Sequence, residues 1–105
     1  MSGVRVDRWL WAARFFKTRS LAKTAVEGGK VHLNDQRTKP AKELCIGQVL
    51  TIRKGIQLQT VVVDALAEHR GSATVAQSLY TETPESVELR EISVSRRRME
   101  RAGLT

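Results

Sequence analysis

Lys17-Thr18-Arg19-Ser20-Leu21-Ala22-Lys23-Thr24-Ala25-Val26-Glu27-Gly28-Gly29-Lys30-Val31-His32-Leu33-Asn34 holds a helix start, a helix stop and a strand in one run. Thr18 is a natural N-cap, because its hydroxyl can accept from a backbone N–H that the first helical turn leaves free. Leu21, Ala22, Ala25 and Val26 then make an apolar stripe, while Arg19, Lys23 and Glu27 recur every four residues on the other side. Gly28-Gly29 stops the helix, since glycine takes the left-handed conformation after a helix end at low steric cost. From Lys30 the period changes to two: Val31 and Leu33 face a core, and Lys30, His32 and Asn34 face outward, as in a short strand.

Upstream, Val6, Leu10 and Ala13, with Trp9 and Phe16, recur at three- and four-residue steps and predict a first helix from about Asp7, with Arg8, Arg14 and Lys17 between them. Trp9 and Phe16 are assigned to the core, and Trp11 and Phe15 are left open between core packing and base stacking. Downstream, Asn34-Asp35 offers a turn, Gln36 to Pro40 an exposed polar segment, and Gly47 a further turn before the strand Val49 to Ile52. Lys54-Gly55 closes that strand, and Leu58 to Leu66, dense in valine, pairs antiparallel with it. Ala73 to Tyr80 reads as one or two helical turns. Thr83-Pro84 opens a terminal helix whose apolar residues Val87, Ile92, Val94 and Met99 form a poor stripe. Its basic end, Arg96-Arg97-Arg98, is expected to fray.

Charge narrows the function. The 105 residues carry 18 Lys and Arg against 11 Asp and Glu, a formal net charge of +7. Twelve of the cations and four of the carboxylates lie in residues 1–55, which therefore hold +8, and the remainder holds −1. Up to Lys42 there are ten cations and three carboxylates, so most cations lack the local partner that an ordinary mixed-sign helix face supplies. Such a field attracts polyanions: nucleic acid, acidic membrane or acidic protein. Phosphate attraction is largely indifferent to the sugar, so DNA stays beside RNA as a ligand.

Other classes are thinly supported. The single cysteine allows no intramolecular disulfide and no multi-cysteine metal site. Cys45, between Leu44 and Ile46, is expected to be a small buried hydrophobe. The opening residues lack a signal-peptide apolar stretch, and no segment reaches the roughly 20 apolar residues of a membrane span, so a soluble cytoplasmic protein is expected. No Walker loop, dinucleotide fingerprint or His-Glu-x-x-His motif occurs. His32 and His69 have no evident nucleophile partner, and an enzyme, a cofactor and a resident metal are not expected. His32 is kept as an RNA contact. The rival to nucleic-acid binding is an adaptor docking an acidic protein.

Arg5-Val6-Asp7-Arg8-Trp9-Leu10, Lys17-Thr18-Arg19-Ser20-Leu21-Ala22, Gly28-Gly29-Lys30-Val31-His32-Leu33-Asn34 and Lys39-Pro40 ahead of Gly47-Gln48-Val49-Leu50 resemble, in order and spacing, the ribosomal protein S4-type RNA-binding domain. Within that superfamily, Trp9 to Arg19 is most similar to the ribosome-associated heat shock protein 15 family. The resemblance implies an α+β fold: two N-terminal helices on a small bent antiparallel sheet, the RNA-binding domain over residues 4–66, and an extension over 67–105 with a helix from about 84. It implies RNA contacts at Arg5, Arg8, Arg14, Lys17, Thr18, Arg19, Lys23, Lys30, His32, Arg37 and Lys39. Independently of it, the N-terminus of the second helix offers free N–H groups beside Thr18 and Arg19, a natural phosphate seat. The resemblance also implies binding to ribosomal RNA of the large ribosomal subunit, and to transfer RNA, and recycling of stalled subunits carrying nascent-chain transfer RNA after heat stress. A monomer is expected. Relatives often continue into a longer basic tail, whereas this sequence ends at Thr105. Pseudouridine synthases and tyrosyl-transfer-RNA synthetases carry the same domain, and 105 residues leave no room for their catalytic domains.

Overall fold

The computed structural model describes residues 3–55 and 57–89. Strand β1 (Val4–Arg5) leads directly into helix α1 (Val6–Ala12), and helix α2 (Arg19–Glu27) follows. Then come β2 (Val31–Leu33), β3 (Gln36–Arg37), β4 (Glu43–Leu44), β5 (Val49–Lys54), β6 (Gln57–Val63), α3 (Ala73–Gln77) and β7 (Tyr80–Glu82). Residues 84–89 are helical, and the rest of the expected terminal helix, with Ile92, Val94, Met99 and the arginine cluster, lies outside the described residues. The main sheet is antiparallel throughout in the order β3-β2-β5-β6-β7, and β1 pairs with β4 as a separate two-stranded ribbon.

Thr18 caps α2 as expected, its Oγ1 accepting from Leu21 N–H at 3.1 Å. At the other end Gly29, at φ +78°, donates to Val26 C=O and Lys30 N–H donates to Ala25 C=O, the paired bonds of a Schellman stop. Helix α1 ends by the same device without a glycine. Arg14 takes φ +64° and donates to Trp11 C=O, and Phe15 N–H reaches back to Leu10 C=O.

That reversal corrects the reading of the aromatic residues. The helix stops at Ala12, the helical period from Trp9 no longer applies, and Phe15 is buried while Phe16 is half-buried against the core edge. Phe16 instead carries the Lys54 ammonium 5.4 Å from its ring centroid. Trp11 also packs partly on the core. Leu21 is a second correction: Ala22, Ala25 and Val26 are buried, whereas Leu21 is 52% exposed. At about 100° per residue it lies roughly a quarter-turn from the centre of that face.

The core lies between the helices and one face of the sheet. Val31 and Leu33 of β2, Leu50 and Ile52 of β5, and Val61 and Val63 of β6 meet Val6, Trp9, Leu10, Ala22 and Val26. Trp9 has no exposed surface, stacks on Phe15 at 5.9 Å, meets the Tyr80 ring edge-on at 6.3 Å, and donates from Nε1 to Ala65 C=O at 2.9 Å. One side chain thus joins α1, the chain leaving β6, and β7.

Four short strands were not anticipated, β1 among them. Asn34 and Asp35, at φ +50° and +66°, form the turn that folds Gln36-Arg37 back on β2 as β3. Strand β4 holds Leu44 in the core, and the alternation of a strand then turns Cys45 outward. Cys45 is exposed rather than buried, its N–H bonded to Gln48 Oε1 in the turn. Strand β7 adds to β6 in the register Val61↔Glu82 and Val63↔Tyr80. Thr83 then caps the 84–89 helix through Ser86 N–H at 3.2 Å. The dependence on Trp9 is testable: Trp9→Ala should cost about 3–5 kcal/mol, measured as a lowered urea midpoint with an unchanged slope.

Candidate nucleic-acid interface

One buried carboxylate organises the N-terminal cations. Asp7, 2% exposed, sits in the first turn of α1, where its charge favours the helix N-terminus and its Oδ1 accepts from Arg8 N–H at 2.7 Å. Arg5 forks onto it, Nε to Oδ1 at 3.2 Å and Nη2 to Oδ2 at 3.1 Å, and Arg19 Nε lies 3.7 Å from Oδ2. Arg5 and Arg19 are thereby held at the junction of β1, α1 and α2 with their side chains still 45% and 38% exposed. The role of Asp7 carried no signal in a charge count, where it registered only as one of few acids.

Arg5 also lines an open groove of about 480 Å³ together with Lys23 of α2, Arg37 of β3 and Lys39 beyond it. Four cations from separate elements therefore converge, against one carboxylate in the lining, Glu27. The groove exists because the Asn34-Asp35 turn folds β3 alongside the C-terminal end of α2. There Arg37 Nη2 donates to Glu27 C=O at 2.9 Å, a favourable place for a cation. Lys42, which was not among the expected contacts, lines the adjoining groove with Arg37 and Lys39.

The remaining expected residues fall elsewhere. Lys30 and His32 lie on the outer face of the sheet, sharing a groove of about 350 Å³ with Arg53, which was not among the expected contacts. Arg8, Arg14 and Lys17 meet the loop after β6: Arg8 Nη1 lies 3.9 Å from Glu68 Oε1, Arg14 Nε donates to Gly71 C=O at 2.9 Å, and Arg70 Nη1 donates to Lys17 C=O at 3.4 Å. Thr18 spends an acceptor lone pair on the α2 cap. The eleven residues are thus one converging set and two flanking sets. Among the described residues no group of three or more His, Cys, Asp or Glu could hold a metal ion, and no helix is long and apolar enough to cross a membrane.

This helix pair on an antiparallel sheet is an S4 domain: the S4 domain family model matches residues 4–50, from β1 into β5. The chain belongs to the heat shock protein 15 family. It is 56% identical over 88 residues to heat shock protein 15 of Escherichia coli, a match covering 84% of this chain and 66% of that protein. It is 48% identical over 95 residues to the Aeromonas salmonicida homolog, covering 90% and 72%. The chain thus spans just under two thirds of the length of the Escherichia coli relative. A Bacillus subtilis protein named RQC P-site tRNA stabilizing factor is 34% identical over 65 residues, 62% of this chain and 76% of its own length. The solved heat shock protein 15 of Vibrio cholerae, described as trimeric, superposes with a TM-score of 0.89 at 48% identity over 92% of this chain and 98% of that one.

Removing the Asp7 charge tests the frame of the site. Asp7→Asn should cost about 1–3 kcal/mol, measured by thermal or urea unfolding, because a buried acceptor for Arg5 and the first-turn charge are lost together.

Proposed function

We propose that this protein is a cytoplasmic, non-enzymatic RNA-binding protein of the large ribosomal subunit, acting on stalled subunits that still carry nascent-chain transfer RNA. The observation that carries the reading is the convergence of Arg5, Lys23, Arg37 and Lys39 on one groove, in a chain whose relatives include heat shock protein 15 and a protein named for stabilising P-site transfer RNA. Residues 4–66 are the RNA-binding unit, and 67–105 are an extension that lends β7 to its sheet.

The mechanism is phosphate neutralisation followed by shape fitting. Arg37 and Arg5 are held by hydrogen bonds in fixed orientations, so they set register, whereas Lys23 and Lys39 are exposed point charges that add affinity. Arg8, Arg14, Lys17, Thr18, Arg19, Lys30 and His32 extend the contact on either side. An A-form duplex hides its deep major groove, so loops and junctions of folded RNA are favoured over a linear sequence.

The test uses binding of a large-subunit RNA fragment across a salt series. Lys23→Ala combined with Lys39→Ala should lower the slope of log affinity against log salt by about two, one per phosphate contact. In sucrose gradients of stressed cells the double variant should leave the large-subunit fractions where the wild type migrates. An unchanged slope, or partners that survive nuclease treatment, would favour the acidic-protein adaptor; equal affinity for matched DNA would leave a general polyanion binder. Light scattering of the free protein decides between a monomer and the trimer described for the Vibrio cholerae relative.

A further inference from the structure

We infer that the outer face of the sheet is a second RNA contact, which takes one unpaired nucleotide beside the phosphates held in the α2–β3 groove. The inference rests on the RNA-binding reading above. On this face the register places His32 of β2 opposite Thr51 of β5, and Arg53, two residues along β5, opposite Leu58 of β6. Because β5 lies between β2 and β6, His32 and Leu58 stand on opposite sides of Thr51 and Arg53. With Gly29 and Lys30 they line the groove of about 350 Å³.

Its chemistry is that of a nucleotide. Two cations, Lys30 and Arg53, serve a phosphate, and none of the six lining residues is acidic. Leu58 is 56% exposed and offers an apolar plate for a base, and the Arg53 guanidinium and His32 imidazole present flat polar surfaces that pair with a ring face or edge. The volume sits at the low end of the range of about 300–1,000 Å³ for small-ligand sites, which suits a single nucleotide and not a duplex.

The two grooves adjoin at Arg37 and Gly29. Residues directly opposite in an antiparallel pair project to the same face, and His32 pairs with Arg37. Arg37 lines the first groove, and its guanidinium lies against Gly29, which lines the second: a Cβ on Gly29 would sit 3.6 Å from Arg37 Nε. An RNA strand leaving a stem in the first groove therefore meets Arg37 and passes over it onto the sheet.

The probes are a synthetic RNA hairpin and the same hairpin with a three-nucleotide single-stranded overhang, titrated into the full chain. The wild type should bind the overhang form more tightly, and Leu58→Ala with Arg53→Ala should remove that advantage, a loss of about five- to tenfold, while binding to the plain hairpin stays within twofold. Both side chains are exposed, so unchanged circular dichroism and melting are expected. A wild type with no preference for the overhang, or a variant that weakens both RNAs equally, overturns the second contact and leaves the first groove standing. An overhang preference that persists when Lys23→Ala with Lys39→Ala fails to weaken the plain hairpin removes the first groove and keeps the second. No binding to either RNA removes both.

Discussion

The Asp7 carboxylate is the constraint on which the cationic surface depends. A charge this buried is costly unless it is hydrogen-bonded and paired, and here the Arg8 N–H, the Arg5 fork and the Arg19 guanidinium meet that requirement. The arginines are ordered by the fold itself, so a phosphate bound there, as proposed, would cost less side-chain entropy. Repulsion between the cations is relieved at the same point. One acid within a strongly basic segment thus contributes to stability and to preorganisation together.

Helix ends and tight turns do the rest of the positioning. The two Schellman stops, at Arg14 and at Gly29, aim the chain from α1 towards the Thr18 cap and from α2 into β2. The left-handed Asn34-Asp35 pair returns the chain as β3, so that Arg37 meets the Glu27 carbonyl at the end of α2. Each of these positions has positive φ, and each sits immediately before a residue or strand that reaches the core or a basic groove. The rigid sheet and its Trp9-centred core supply the platform; the turns supply the direction.

Much of this was legible in the residues. Thr18, Gly28-Gly29 and the alternation Val31-His32-Leu33 located α2 and β2, and the valine-rich run located β6, because caps, glycine stops and period-two patterns are local chemistry. The crowding of cations before Gly55 announced a polyanion surface for the same reason. Strands β1, β3, β4 and β7 were illegible, since none of them sits in an alternating run as long as Lys30 to Asn34 around β2, and their pairing comes from partners up to forty residues away.

Composition and local pattern by themselves determined the mix of helices and strands, the ends of α2 and the sign of the surface, while the arrangement of two helices on a bent antiparallel sheet came from the family resemblance. Only the tertiary structure decided which cations share a groove, that Asp7 holds Arg5 beside Arg19, that Phe15 and not Phe16 enters the core, and that Arg53 stands with Lys30 and His32. The physical reason is range. Helix caps and alternation are settled by neighbours within a few residues, whereas charge convergence and burial depend on contacts across the sheet and between elements, which no local periodicity records.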